Sequence, residues 1–278
     1  MYNKGDFHLH TTASDGKLSS KELVQEASLK GLDIIAVTDH DTTKGIEAAL
    51  KAGEEYGVKI IPGIELSTLH NDESIHILGY FKDDSYKNET FQTFLSEMHD
   101  YRAWRGQRII DNLKIYFDLE VDGEKLLSNS KGIIARPHIA QAIIDAGYDY
   151  DWEYIFDNFL SKESPAYIPN KKISIQEGII LLKGVNAIPV LAHPVLVKKS
   201  TIEDLIQFDF DGIEGIYPLN SPSKTENYKS LAKEHNKFVT AGSDYHGLGE
   251  YDTKHGTLGS TFLEGEYLSL FLSKLKSC

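Results

Sequence analysis

Cysteine is nearly missing from this 278-residue chain, and Cys278 is the only one. A single thiol excludes an intrachain disulfide framework and any cysteine-built zinc site, and a reducing, cytoplasmic setting is expected. Long apolar runs are missing too. None reaches the roughly 18–20 residues that a membrane span needs, and Met1 leads into Tyr-Asn-Lys-Gly-Asp rather than an apolar leader, so no membrane partner is expected. Positive charge is scarce: 29 Lys and Arg face 42 Asp and Glu, a net charge of −13. Such a chain repels a long polyanion, which makes long duplex DNA a poor partner. The sequence carries no internal repeat, low-complexity stretch or Pro/Gly/Ser linker. What remains is ordinary globular composition, 41% hydrophobic and 26% charged, enough to build one large core or two small ones.

Short β-branched runs alternate with amphipathic stretches, the pattern of an α/β fold with a largely parallel sheet. Strands are expected at Asp6-Phe7, Ile34–Val37, Lys59–Ile61, Ile75–Tyr80, Ala187–Leu191, Gly212–Ile216 and Phe238–Ala241, with a last one near Ser260–Leu263. Ser19 and Glu22 form a capping box before the first helix, Leu18 and Leu23 fit a hydrophobic staple, and Gly31 suits its C-terminal cap. A second helix is expected from about Lys44 to Tyr56, ending at Gly57. The middle breaks this rhythm. Phe91, Phe94, Leu95, Met98, Tyr101, Ile109, Leu113 and Tyr116 recur at helical spacing, and Pro137–Ala146 and Trp152–Leu160 follow as shorter helices. We therefore expect a helical insertion over 89–170 between two parts of one domain, 1–88 and 171–278. The run Arg102, Arg105, Arg108 reads as a solvated helix face.

Histidines and acids fall at particular places on that map. His8 and His10 follow the first strand at i and i+2, so both rings can reach one ion. Asp15 follows in Ser-Asp-Gly, His40 ends the next strand in Asp-His-Asp, and Glu65 comes after the third. His76 lies in a strand, His193 ends another in Ala-His-Pro, and Asp244 and His246 close the series at i and i+2. One His-x-His is weak evidence and one Ala-His-Pro weaker. Recurrence at successive strand ends is strong, because parallel barrels gather their sites at that face. Nine N and O donors without sulfur suit Zn²⁺, Mn²⁺, Fe²⁺ or Co²⁺. Nine are too many for one ion and fit two or three, with Glu65 as the expected bridge.

These motifs, His8-Leu9-His10-Thr11, Ser14-Asp15-Gly16, Glu22-Leu23-Val24 and Val37-Thr38-Asp39-His40-Asp41-Thr42, resemble those of the PHP (polymerase and histidinol phosphatase) family over nearly the whole chain. The closer likeness is to its small nucleotide phosphatases, which include nucleoside 3′,5′-bisphosphate phosphatases and an exoribonuclease of short RNAs. The resemblance implies a distorted seven-stranded, TIM-like (β/α) barrel and a site of three divalent ions, Mn, Fe or Zn. It places His8, His10, Glu65 and Asp244 on one ion, Glu65, His76 and His193 on the second, and Asp15, His40 and His246 on the third. It further implies phosphate ester hydrolysis by an activated water on a small phosphorylated nucleotide or short RNA.

Beyond these nine, Asp39 is a candidate to orient an imidazole or a water, while Asp41 suits either that task or capping the helix near Lys44. His138 is a candidate proton donor. Arg136 and Lys171, at the ends of the insertion's last segments, are candidates to bind a second phosphate. The rival readings are a histidinol-phosphate phosphatase, which would need acids for an amine-bearing substrate, and a non-catalytic metal-binding module, which would not need all nine donors.

Overall fold

The computed structural model describes residues 2–129, 136–169, 171, 173–249 and 252–276. Two compact units result, one from residues 1–92 with 172–278 and one from 93–171.

The first unit begins with strand β1 (Lys4–Asp6), helix α1 (Ser20–Leu29), β2 (Ile34–Val37), α2 (Ile46–Tyr56), β3 (Lys59–His70) and β4 (Glu73–Phe81). The expected Ser19–Glu22 capping box starts α1. Helix α2 starts later than expected, with Gly45 as its N-cap and no side-chain cap bond, so Asp41 does not cap it. Gly57 ends it in the left-handed region (φ 73°), which only glycine enters cheaply.

The second unit holds most of α3 (Glu89–Phe117), α4 (Gly123–Asn129), α5 (Arg136–Asp145) and α6 (Trp152–Tyr154), which runs into a π-helical turn at Ile155–Phe159. Its core joins Ile109, Leu113, Leu119, Ile139, Ile143, Ile155 and Phe159. Phe91, Leu95 and Met98 of the expected stripe are buried as well, whereas Tyr116 departs from it and is exposed. Arg105 departs from the solvated face expected of it. It is 8% exposed, and its Nε donates to the Ile168 carbonyl at 2.7 Å. Its three-residue neighbour Arg108 stays half exposed beside Asp111. Lys172 lies outside the described residues.

The first unit resumes with β5 (Ile173–Ser174), α7 (Ile175–Gly184), β6 (Ala187–Leu191), α8 (Ile202–Leu205), β7 (Gly212–Ile216), α9 (Pro222–Glu234), β8 (Phe238–Ala241), β9 (Leu263–Glu264) and α10 (Gly265–Lys276). Among the described residues the sheet order is β8-β7-β6-β4-β3-β2-β1-β9, with β5 on β3. Pairs β1/β2, β2/β3, β6/β7 and β7/β8 are parallel. Bonds from Phe7 N to the Ala241 carbonyl (3.1 Å) and from His10 N to the Tyr245 carbonyl (3.0 Å) bring β8 back to β1 and nearly close a barrel. This is the expected α/β barrel, distorted at β4, which runs antiparallel to both β3 and β6. The distortion follows from length. β3 runs twelve residues, leaves β2 at Pro62 and takes β4 as partner from Gly63 onward. Glu65 therefore sits within β3 rather than after it.

Strands buried on both faces pack helices outside and side chains inside. Leu23, Val24 and Ala27 of α1 cover Ile35 and Val37. Phe271 of α10 meets Phe7, Tyr80 and Phe238 edge-on or tilted at ring-centroid distances of 4.8, 4.9 and 5.5 Å, filling the barrel end away from the histidines. Tyr80 is fully buried, and its hydroxyl donates to the Phe7 carbonyl at 2.9 Å, next to His8. Tyr80→Phe should leave that buried carbonyl short of a donor and lower stability by about 1–3 kcal/mol, read as a shifted midpoint in urea denaturation.

Candidate metal centre

The four parallel-strand ends and the start of the antiparallel β4 face the same end of the barrel, and this delivers the donors. His8 and His10 follow β1 in extended chain, with Leu9 between them bridged to Tyr245. His40 follows β2 and bridges to Glu65 of β3. His76 sits near the start of β4, and the backward run of that strand is what brings it to the same end. His193 follows β6, and Asp244 and His246 follow β8. Turning a side chain back over the barrel mouth needs unusual backbone. Asp41, His193 and Asp244 all lie at positive φ (50°, 25° and 56°), a region non-glycine residues enter at a cost on the order of 1–3 kcal/mol.

All nine predicted donors converge. Glu65 is the hub and is fully buried. Its Oε1 lies 2.8 Å from His76 Nδ1 and 2.9 Å from His193 Nε2. Its Oε2 lies 3.1 Å from His8 Nε2, from His10 Nε2 and from His40 Nδ1. Asp244 Oδ1 lies 3.2 Å from His8 Nε2 and 3.1 Å from His10 Nε2. Asp15, the one exposed donor, stands 3.3 Å from His246 Nε2, 3.6 Å from His10 Nδ1 and 3.8 Å from His40 Nε2.

Three groupings of mutually close donors follow: His8, His10, Glu65 and Asp244; His40, Glu65 and His76; and His10, Asp15, His40 and His246. The first is the expected set. In the second, His40 stands where His193 was expected, because its ring lies between Glu65 and Asp15 and faces both. His193 touches the same Glu65 oxygen as His76 does.

Whether these residues suit cations can be read from their polar atoms. His8 Nε2, both ring nitrogens of His10, His40 Nδ1, Glu65 Oε2 and Asp244 Oδ1 are buried and make no hydrogen bond of acceptable geometry. Buried polar atoms without partners are costly. Here they stand about 3 Å apart without bonding one another, the arrangement of ligands that share a cation. The donor set, imidazole and carboxylate without sulfur, fits Zn²⁺, Mn²⁺ or Fe²⁺.

Electrostatics agree. Burial would raise the Glu65 carboxyl, but His40, His8 and His76 outweigh it and hold the group well below its usual range. Asp244 is likewise held down, against burial, by His8 and His10. Burial opposes a charge on His10, yet Asp244 and Glu65 push its pKa up to about 10. His40 goes the other way, lowered to about 4 because burial there exceeds the pull of Glu65.

The other candidates separate. Asp39 accepts from Thr11 N (2.7 Å), Thr11 Oγ1 (2.8 Å) and Ser14 Oγ (2.7 Å). Its carboxylate thus braces the loop that carries Asp15 and, of the two tasks expected of it, does not take the orienting of a ligand imidazole. Asp41 Oδ1 accepts from Ser67 N at 2.7 Å. In the second unit, Arg136 donates from Nη1 to the Leu160 carbonyl (3.1 Å) and lies over the Phe156 ring. His138 is exposed and lines a cavity of about 290 Å³ with Asp122, Lys125 and Asp145, and Lys171 is exposed.

Three residues escaped the sequence reading. His255 stacks on His246 (4.2 Å between centroids), bonds Asp252 through Nδ1 at 2.9 Å, and forms a fourth close group with Asp244 and His246. Tyr217 donates to Asp244 Oδ2 at 2.8 Å. Glu214, within β7, accepts from His8 Nδ1 at 2.9 Å. A His eleven residues past Asp244 and a Glu flanked by glycine carry no local signal. Gly212-Ile-Glu-Gly-Ile-Tyr217 is legible only as a strand with a charged residue at a buried position.

Comparisons with known proteins agree with this geometry. Residues 6–159 match the PHP domain model. The chain is 30% identical over 250 residues to a 5′-3′ exoribonuclease of Salmonella typhimurium, covering 87% of this chain and 84% of that one. It is 26% identical over 253 residues to a 3′,5′-nucleoside bisphosphate phosphatase of Chromobacterium violaceum, covering 88% of each. A solved structure assigned to the metal-dependent phosphoesterases, from Bifidobacterium adolescentis, superposes with a TM-score of 0.77 at 30% identity, covering 97% of this chain and 96% of that one. No helix among the described residues is long and apolar enough to cross a membrane.

The raised pKa of His10 has a measurable consequence. Near neutral pH the metal-free ring holds a proton that an incoming cation must expel, so affinity should climb with pH. Between about pH 6 and about pH 8 the gain should be roughly tenfold per unit for each proton released, read by competition with a chromophoric chelator. Affinity independent of pH over that range would contradict the assignment.

Proposed function

The chain belongs to the PHP family of metal-dependent phosphoesterases, and from that premise we propose that it removes a phosphate monoester from a small nucleotide, with nucleoside 3′,5′-bisphosphates as the preferred class. The convergence of five imidazoles on the Glu65 carboxylate, with Asp15, Asp244 and His246 grouped beside them, carries this reading. Three divalent ions, Mn, Fe or Zn, are the complement we assign, on the ligand sets His8, His10, Glu65, Asp244; Glu65, His76, His193; and Asp15, His40, His246. When bound, they neutralise phosphate oxygens and make water nucleophilic at neutral pH.

The chain's own residues do the rest. Glu65 presents one oxygen to His76 and His193 and the other to His8, His10 and His40, so it is the natural bridge. Thr11, Ser14 and Asp39 hold the loop of Asp15. No serine or cysteine nucleophile is required. The similarity to a bisphosphate phosphatase supports a substrate with two phosphates, and the similarity to an exoribonuclease keeps short RNA within the same chemistry. Arg136 and Lys171 are our candidates for the second phosphate.

The test is phosphate release, with Mn²⁺ present, from a nucleoside 3′,5′-bisphosphate, a mononucleotide, a short RNA and histidinol phosphate. The bisphosphate should be turned over best. Preference for histidinol phosphate would overturn the reading, and one metal ion or fewer per chain in a fully active preparation would overturn the three-ion assignment. Losing a charge-assisted Arg–phosphate pair typically costs about 1.5–3 kcal/mol, or roughly ten- to a hundredfold. Arg136→Ala should therefore lower kcat/KM by that factor for the bisphosphate and little for a monophosphate ester. Equal losses on both would remove Arg136 from the second phosphate.

A further inference from the structure

Glu214 is fully buried in β7 and is none of the nine donors, yet it touches two of them. His8 Nδ1 lies 2.9 Å from its Oε1, and the backbone N–H of His193 donates to its Oε2 at 2.7 Å. A backbone N–H can only donate, and a carboxylate can only accept. His8 must then carry a proton on Nδ1, so that its Nε2, which faces Glu65 and Asp244, is the nitrogen whose lone pair a cation would take. That Nε2 is one of the buried nitrogens without a hydrogen-bond partner. At His193 the bond falls on a residue with φ 25° and ψ 62°, a conformation an L-residue does not adopt unaided. This turn carries the His193 ring back to within 2.9 Å of Glu65.

The surrounding chain leaves Glu214 little freedom. A Cβ on Gly242 would stand 2.6 Å from Glu214 Oε1 and 2.2 Å from His8 Cβ, so glycine alone lets the end of β8 pass this close. We propose that Glu214 is a positioning residue that selects the metal-binding tautomer of His8 and holds the strained backbone of His193, and so sets the affinity of two ligands at once. The inference rests on the proposed assignment of His8 and His193 as metal ligands. Their other partners do not replace it, because among the described residues no second acceptor is recorded for either N–H.

Glutamine has the shape of glutamate but only one acceptor oxygen. If that oxygen takes the His193 N–H, the amide NH₂ faces His8 Nδ1 and favours a ring protonated on Nε2, the nitrogen that the metal needs. If it takes His8 instead, two N–H groups meet at His193. Glu214→Gln should thus bind Zn²⁺ about 10–100-fold more weakly than the parent by chelator competition. The folded, metal-free variant should keep the parent's circular dichroism. A merely structural role would lower the melting temperature and leave the Zn²⁺ affinity of the folded protein unchanged, and that result would overturn the proposal.

The parent supplies a second measurement that needs no variant to fold. In long-range ¹H–¹⁵N spectra of the Zn²⁺-loaded protein, His8 should be protonated on Nδ1 and coordinated through Nε2, and coordination through Nδ1 would overturn the proposal. His8→Ala separates the two levels of inference. If it binds as much Zn²⁺ as tightly as the parent, the ligand assignment itself fails and takes the role of Glu214 with it.

Discussion

One carboxylate organises this molecule. Glu65 is buried among five imidazoles, and neither the carboxylate nor the rings would tolerate that position alone. An isolated buried charge is heavily penalised, and a ring of histidines without acids would be forced neutral. Together they hold each other, which is why Glu65 and Asp244 are held far below ordinary carboxylates while His8 and His10 are held above ordinary imidazoles. Such mutual support still leaves polar atoms without hydrogen bonds, and cations answer that need. Folding of the barrel mouth and binding of metal are therefore two aspects of one electrostatic problem.

The barrel is shaped to that problem. A regular parallel barrel would present only residues that follow its strands. Here β3 overruns its pairing with β2 and turns back as β4, which places Glu65 inside one strand and His76 near the start of the next. The distortion widens the choice of donors at one end. Positive φ at His193 and Asp244 has the same origin, since a chain leaving a strand must fold back sharply to aim its side chain at the barrel axis. The cost is borne by neighbouring bonds, Glu214 to the His193 N–H and Tyr217 to Asp244.

Support of this kind extends outward. Asp39 spends both oxygens on Thr11 and Ser14, and Asp6 takes the backbone and hydroxyl of Ser243 together with the Gly259 N–H. Each acid fixes a loop that carries ligands rather than carrying chemistry itself. The excess of acidic residues is thus partly structural.

Local pattern was enough to mark α1 with its capping box, the buried β-branched strands, the helical stripe and all nine donors, because each signal lies within a few residues: His-x-His, Asp-x-His, a histidine closing an apolar run. Boundaries that depend on partners were not legible. The length of β3 and the antiparallel course of β4 are decided by which strand lies alongside. So were the tasks of single polar residues. Asp39 and Asp41 flank a ligand in sequence, yet their oxygens go to Thr11, Ser14 and Ser67. Arg105 reads as surface and is buried, since the Ile168 carbonyl it meets is 63 residues away. Glu214 and His255 are distant from the residues they support and carry no motif. What the sequence alone determined is the chemistry of the donors and, for the histidines that close β2 and β6 and the pairs that follow β1 and β8, their place at strand ends, through periodicity and residue type. Only tertiary structure decided which oxygen faces which ring, because hydrogen-bond partners hundreds of residues apart are chosen by geometry and not by spacing along the chain.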